Sequence, residues 1–421
     1  MKNIKSKWPT VGPWVIFAVW GLLIFVGLID TVSNGQVPVD YRSYQRAADL
    51  IDEGLSPYSS LDESRANWLE LHEYVVRQYS DREAFNPLLE PPAGPYVYPP
   101  TLALFIQQTN TNAIAFGFVL LASVFGFAWL WIRENQPRKN WWILFVILSF
   151  DTAGFIISSN IELILVFLAL FAGWLIWHNR PVWAGLLIAI TFLIKPFFGL
   201  FFAAFCLIMI AISLDEWRAR LQTSATAAVT SFVFIFLDIA RWPVMLRQEA
   251  LTYFQNGLAH QWFVLPVEQQ IPMSLWNRSL LQVFVNFGVE ATAAQTIGLV
   301  VWVLILGCTI WSIWALKLNF YQAFALAYIV FLIGRPVNWT LPYVEFVVVL
   351  AVWPQLKETW QKRAVLGAGI FMTLSHWIAS SLAASGISPA LVTLQTINFP
   401  WEILILLPLF LCLIIWSVRQ Y

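Results

Sequence analysis

Trp14–Leu28, WVIFAVWGLLIFVGL, is a run of fifteen residues without a single charge. A helix needs about 20 mostly apolar residues to cross the hydrocarbon of a bilayer. With its flanks this run meets that length, and comparable runs recur along the chain. They lie near 13–30, 113–132, 141–157, 161–177, 181–195, 197–214, 222–240, 294–316, 320–334, 341–355, 364–383 and 400–418. The expected fold is therefore an all-α polytopic membrane protein with about twelve transmembrane helices. The runs at 181–195 and 320–334 are short, so a tilted, broken or re-entrant form is open for them. Composition agrees: 59% of residues are hydrophobic, 11% are charged, and mean hydropathy is +0.69. Lys2, Lys5 and Lys7 precede the first run, which lacks a small-residue cleavage site and reads as an uncleaved signal anchor.

The basic residues orient the chain. With the N-terminus inside, the inner connections hold Lys2, Lys5, Lys7, Arg133, Arg138, Lys139, Arg180, Arg218, Arg220, Lys317, Lys357, Lys362, Arg363 and Arg419. Only Glu134, Asp215, Glu216 and Glu358 oppose them there. The positive-inside rule then puts both termini in the cytoplasm of a cell membrane, read as bacterial. A net charge of zero, with no basic stripe, speaks against nucleic acid. Cys206, Cys308 and Cys412 all fall in apolar runs, and the four histidines are scattered, so no metal cage is expected. The inner connections are too short for a Rossmann-like domain or P-loop, so any substrate arrives from the outer face or from the membrane itself.

Two long segments face outward, 31–112 and 241–293, within what reads as one integral-membrane domain over 1–421. In the first, Tyr41, Tyr44, Ala48 and Ile51 recur at helical spacing between Asp40 and Gly54. That pattern predicts an amphipathic helix on the membrane, with Asp40 just before its first turn. A second surface helix is expected over Ser60–Arg82. Tyr98-Pro99-Pro100 opens a third that runs to about Gln108, proline being favoured at a first helical position.

Asp40 can be read as the cap of its helix or as a general base at the water–lipid boundary. Lys195, in Leu193-Ile194-Lys195-Pro196-Phe197, also admits two readings. One is snorkelling or a salt bridge to Glu162 or Asp238; the other is a cation for a lipid-borne phosphate. Arg335, in Gly334-Arg335-Pro336-Val337-Asn338-Trp339, has the same alternatives. Two more polar notches point outward, Ser158-Ser159-Asn160-Ile161-Glu162 and Trp276-Asn277-Arg278-Ser279-Leu280. Hydrophobic segments show no internal repeat, which tells against many transporter folds.

These elements, in their order, resemble glycosyltransferase family 87. Asp40-Tyr41, with Ala47-Ala48 and Gly54-Leu55-Ser56-Pro57-Tyr58 downstream, is similar to that family's first outer loop. Tyr98-Pro99-Pro100 resembles its YPP element. Asn160-Ile161-Glu162, Ala184-Gly185-Leu186-Leu187 and Ile194-Lys195-Pro196 resemble its central block, and Ser274–Leu280 its N-Q-S-L segment. The resemblance implies a GT-C-like bundle and a polyprenyl-phosphate-mannose-dependent alpha-mannosyltransferase, with Asp40 as catalytic base. One departure stands out. Where the family reads S-P-x-S-W-x-H-H, this chain has Arg335 to Pro342, so Leu341 and Pro342 replace the histidine pair.

The expectation is an inverting transferase that carries a sugar, mannose by resemblance, from a polyprenyl-phosphate donor to an acceptor hydroxyl on a lipid or glycan. Asp40 would be the base, and Lys195 and Arg335 would hold the donor phosphate. Tyr41, Tyr44, Tyr98, Asn160, Glu162, Asn277, Arg278, Asn338 and Trp339 would surround the substrates. Phosphate leaves well and no Asp-x-Asp motif is present, so no metal or cofactor is expected. The rival readings are a lipid or glycan transporter and a non-catalytic assembly subunit. Oligomeric state is left open.

Overall fold

Without water, a backbone inside lipid can satisfy its N–H and C=O groups only within a helix or a closed barrel. The computed structural model describes residues 2–35, 37–58, 98–135, 159–258 and 287–315, with isolated positions between and beyond them. Among these every regular element is a helix. The first apolar run falls in α1, Lys2–Ser33. A turn with Gly35 at φ 76° leads to α2, Val39–Asp52, which ends at Gly54, φ 74°. Only glycine takes that left-handed backbone without penalty. Next comes α3, Pro100–Thr109, closed by Asn110 at φ 47°. It is followed by α4, Ala113–Asn135, and, further on, α5, Glu162–Trp177. Then α6, Pro181–Ile194, and α7, Pro196–Ser213, form two arms either side of Lys195. The last three are α8, Trp217–Arg241, α9, Val244–Leu258, and α10, Ala291–Ala315.

Among the described residues, three helices are long and apolar enough to cross a membrane, over Ala113–Leu130, Trp217–Arg241 and Thr292–Ile313. Shorter apolar helices lie at Ala18–Ser33, Ile164–Trp177, Pro181–Ile194 and Phe201–Ser213. On α8 the outward side chains are the large apolar ones: Phe232 is 71% exposed and Phe236 62%. Its buried face is Thr223, Ala227 and Ser231. Water would penalise such an inside-out helix, whereas lipid favours it, because small residues let membrane helices pack closely. Seven of the twelve expected runs coincide with these helices. The runs at 141–157, 320–334, 341–355, 364–383 and 400–418 lie largely outside the described residues, as does the surface helix expected over 60–82.

The centre of the packing is α6. It contacts α5, α7 and α8 along its length and α3 near its end. Gly185 makes the α8 contact possible, since a Cβ there would sit 2.4 Å from the Ala227 carbonyl oxygen. Ser231 fastens the crossing by donating to the Gly185 carbonyl at 2.8 Å. Beyond this bundle α2 and α3 pack on each other, and α1 leans on α4, which packs on α5. Pro38, rather than Asp40, occupies the N-cap of α2. Proline's fixed φ makes the entry two residues earlier, so Asp40 belongs to the first helical turn instead of preceding it.

Candidate active site

Pro196 cannot continue a helix and disfavours helical backbone in the residue before it. Lys195 is accordingly extended, φ −146° and ψ 95°, between α6 and α7. Its N–H still bonds the Thr191 carbonyl at 2.8 Å, so the break is confined to one residue. The two arms close tightly because Gly199 lies against Phe192, where a Cβ would be 2.4 Å from the Phe192 Cα.

The Lys195 ammonium meets the Glu162 carboxylate in an ion pair, their side chains 23% and 3% exposed. Of the acids offered as its partner, Glu162 is the one it takes. Asp238 instead accepts from Thr101 at 2.6 Å and from the Trp242 indole at 3.0 Å. Glu162 opens α5, where a negative charge complements the helix dipole. Its N–H is held by the Asn160 side-chain oxygen at 2.9 Å, after a turn in which Ser159 adopts φ 63°.

Two aromatic rings border the ammonium. Lys195 Nζ lies 5.3 Å from the Phe198 ring and 5.8 Å from the Tyr98 ring. Tyr98 belongs to a turn fixed from several sides. Tyr58 donates to the Tyr98 carbonyl at 3.0 Å, and Tyr96 donates to the Pro99 carbonyl at 2.6 Å. Tyr98 packs edge-on against Tyr44, ring centres 5.3 Å apart and hydroxyls 3.5 Å apart. Tyr44 is 1% exposed. Burial first, and then Tyr98 and the Asp40 carboxylate, hold its phenol well above the usual range, so it stays neutral.

One end of the bundle therefore gathers Asp40, Tyr44, Tyr98, Asn160, Glu162 and Lys195. Tyr41 neighbours Tyr44 across the same Phe116 ring. Its ring packs on Phe116, 5.6 Å between centres, and its hydroxyl bonds the Thr111 carbonyl. Burial, with help from Asp49, pushes its phenol up to about 12. Arg335, Asn277, Arg278, Asn338 and Trp339 lie outside the described residues. Sequence reasoning missed Tyr58, Phe198 and Thr101. Proximity to the YPP turn and to Lys195-Pro196 was the available signal for them. Chemically, the gathered groups comprise a carboxylate in the first turn of α2, an ammonium fixed by a buried acid, and a wall of phenols.

The sequence profile of glycosyltransferase family 87 matches residues 96–337, more than half of the chain. The chain belongs to glycosyltransferase family 87. Its apolar helices agree with a membrane member of that family. The matched range takes in Tyr98, Asn160, Glu162 and Lys195, while Asp40 precedes it. This family 87 member is 29% identical over 203 residues to the alpha-(1->3)-arabinofuranosyltransferase of Corynebacterium glutamicum. That alignment covers 46% of this chain and 43% of the relative, so the chain spans less than half the length of that curated relative. No solved structure matches.

Proposed function

We propose that this family 87 glycosyltransferase moves a sugar from a polyprenyl-phosphate carrier to an acceptor hydroxyl at the outer face of a multi-pass membrane domain, with inversion. The observation that carries the reading is the Glu162–Lys195 pair beside Tyr98 and Tyr44. An ammonium has three N–H donors, and Glu162 occupies one. In this reading the ammonium also meets an oxygen of the carrier phosphate, with Arg335 as a second cation. The acceptor oxygen attacks the anomeric carbon, the bond from that carbon to the phosphate oxygen breaks, and the proton passes to Asp40. Polyprenyl phosphate is a competent leaving group, so the step is written without a metal. In this scheme Tyr44, Tyr98 and Asn160 position the charged groups. The chain resemblance points to mannose and the relative's name to arabinofuranose; one exchange at the anomeric carbon serves both.

The test offers purified protein both carrier-linked sugars with a hydroxyl acceptor and follows release of polyprenyl phosphate. Transfer from either donor supports the reading, and the preferred donor assigns the sugar. Asp40→Asn should lower transfer by about a thousandfold, the scale of lost general-base catalysis. Its melting temperature should barely move, since a first-turn charge contributes only about 0.3–1 kcal/mol. A wild-type protein that releases nothing from either donor would return the chain to the transporter or assembly readings. An active Asp40→Asn protein would shift the base role to another acid, with Glu162 the nearest candidate.

A further inference from the structure

Asp238 does not pair with Lys195, yet it reaches both sides of the site. It stands on the last turns of α8, where a carboxylate in an apolar helix demands good hydrogen bonds to offset its desolvation. One oxygen supplies them, accepting from Thr101 Oγ1 at 2.6 Å and from Trp242 Nε1 at 3.0 Å. Thr101 is the second residue of α3, three positions after Tyr98, and its neighbourhood is rigid. The Tyr96 hydroxyl bridges the Pro99 carbonyl, at 2.6 Å, and the Ala103 N–H, at 3.2 Å. Trp242 is buried with Leu193 and Ala250, and Tyr58 packs on the same cluster. Leu193 is two residues before Lys195. Arg247 completes the corner by donating to the carbonyls of Trp242, at 2.8 Å, and Ala240, at 2.7 Å. Trp242 and Pro243 also form the passage into α9, the start of the second outer segment.

We infer that Asp238 is a positioning residue for the transfer: through Thr101 and Trp242 it fixes the turn that holds Tyr98 beside Lys195 and ties it to the entry of the second outer segment. The role needs two lone pairs on one oxygen and does not need the charge. An amide oxygen therefore suffices and a methyl group does not. The inference rests on the proposed place of Tyr98 and Lys195 in the donor site, so its test carries a readout independent of transfer.

Hydrogen exchange is measured over residues 96–103 in the full-length protein, beside steady-state transfer, for Asp238→Ala, Asp238→Asn, Thr101→Val and the Asp238→Ala/Thr101→Val double variant. Asp238→Ala should speed exchange over 96–103 and raise the donor KM by about tenfold with a smaller change in kcat, as misplacement of a binding group does. Asp238→Asn should stay within about threefold of wild type in both measurements. Thr101→Val should reproduce most of the Asp238→Ala effect, and the double variant should add little, since both break one link. Unchanged exchange over 96–103 in Asp238→Ala, or Asp238→Asn as impaired as Asp238→Ala, overturns the inference. If exchange responds as expected while the wild-type protein transfers from neither carrier-linked sugar, the clamp stands and the proposed donor chemistry fails.

Discussion

Glu162 and Lys195 need each other before either can serve a substrate. A carboxylate 3% exposed has lost most of its hydration, and the ammonium compensates it. Lys195→Met removes that compensation while nearly keeping length. Because removing one partner of a buried pair strands the other, melting in detergent should report a loss of about 3 kcal/mol. Lys195→Met/Glu162→Gln should recover most of that loss. The double variant should nonetheless bind polyprenyl phosphate poorly, because the Lys195 charge is gone and only Arg335 remains to meet it. A double variant no more stable than Lys195→Met would show that Glu162 is satisfied by other groups. One that binds the carrier normally would remove Lys195 from the donor site. At this scale the sequence offered Lys195 and Glu162 as a pair, since a lysine and an acid inside apolar runs are costly unless partnered. Which acid the lysine would choose was not legible. Glu162 and Asp238 both lie at run ends, and only the packing of α5 and α8 around α6 decides between them.

Among elements, the hairpin of α6 and α7 controls where Lys195 points. Gly199→Ala tests this closeness. A helical glycine replaced by alanine gains roughly 0.5–1 kcal/mol from backbone entropy. Here the new methyl would lie 2.4 Å from the Phe192 Cα, backbone that cannot swing aside. Overpacking of this kind costs about 1–3 kcal/mol, so a net loss of stability together with reduced transfer is expected. Gly27→Ala is the control, having nothing within 4 Å, and should be neutral or stabilising. Proline and glycine made these elements readable in advance: Pro196 marked the break, Pro99 and Pro100 the start of α3, and Gly54 the end of α2. The Asp238 link was beyond reach for a physical reason. It joins residues 137 positions apart, and neither hydrophobic period nor capping chemistry carries information over that separation.

For the whole molecule, the distribution of Lys and Arg sets the side on which the candidate site opens. A cysteine introduced at Ser64 should react with an impermeant maleimide from outside intact cells, and one at Gln136 should react only after permeabilisation. The reverse pattern would place Asp40 and Lys195 at the cytoplasmic surface and exclude an outer-face reaction. The helices agree among themselves on sidedness. The starts of α5 and α7, the end of α6 and the last turns of α8 all meet at the Asp40 end, while Arg180, Arg218 and Arg220 lie near the other ends of those helices.

The brevity of α6 bears on the lipid as well. Its 14 residues rise roughly 21 Å, against about 30 Å of hydrocarbon in a typical bilayer. Under the proposed orientation the surrounding leaflets must thin, or water must enter a dimple above Lys195. A phosphate headgroup would then meet the ammonium by sinking only slightly, its isoprenoid tail never leaving the acyl chains. The elastic state of the bilayer would thereby become part of the substrate's binding energy, and membrane thickness a determinant of where such an enzyme works best.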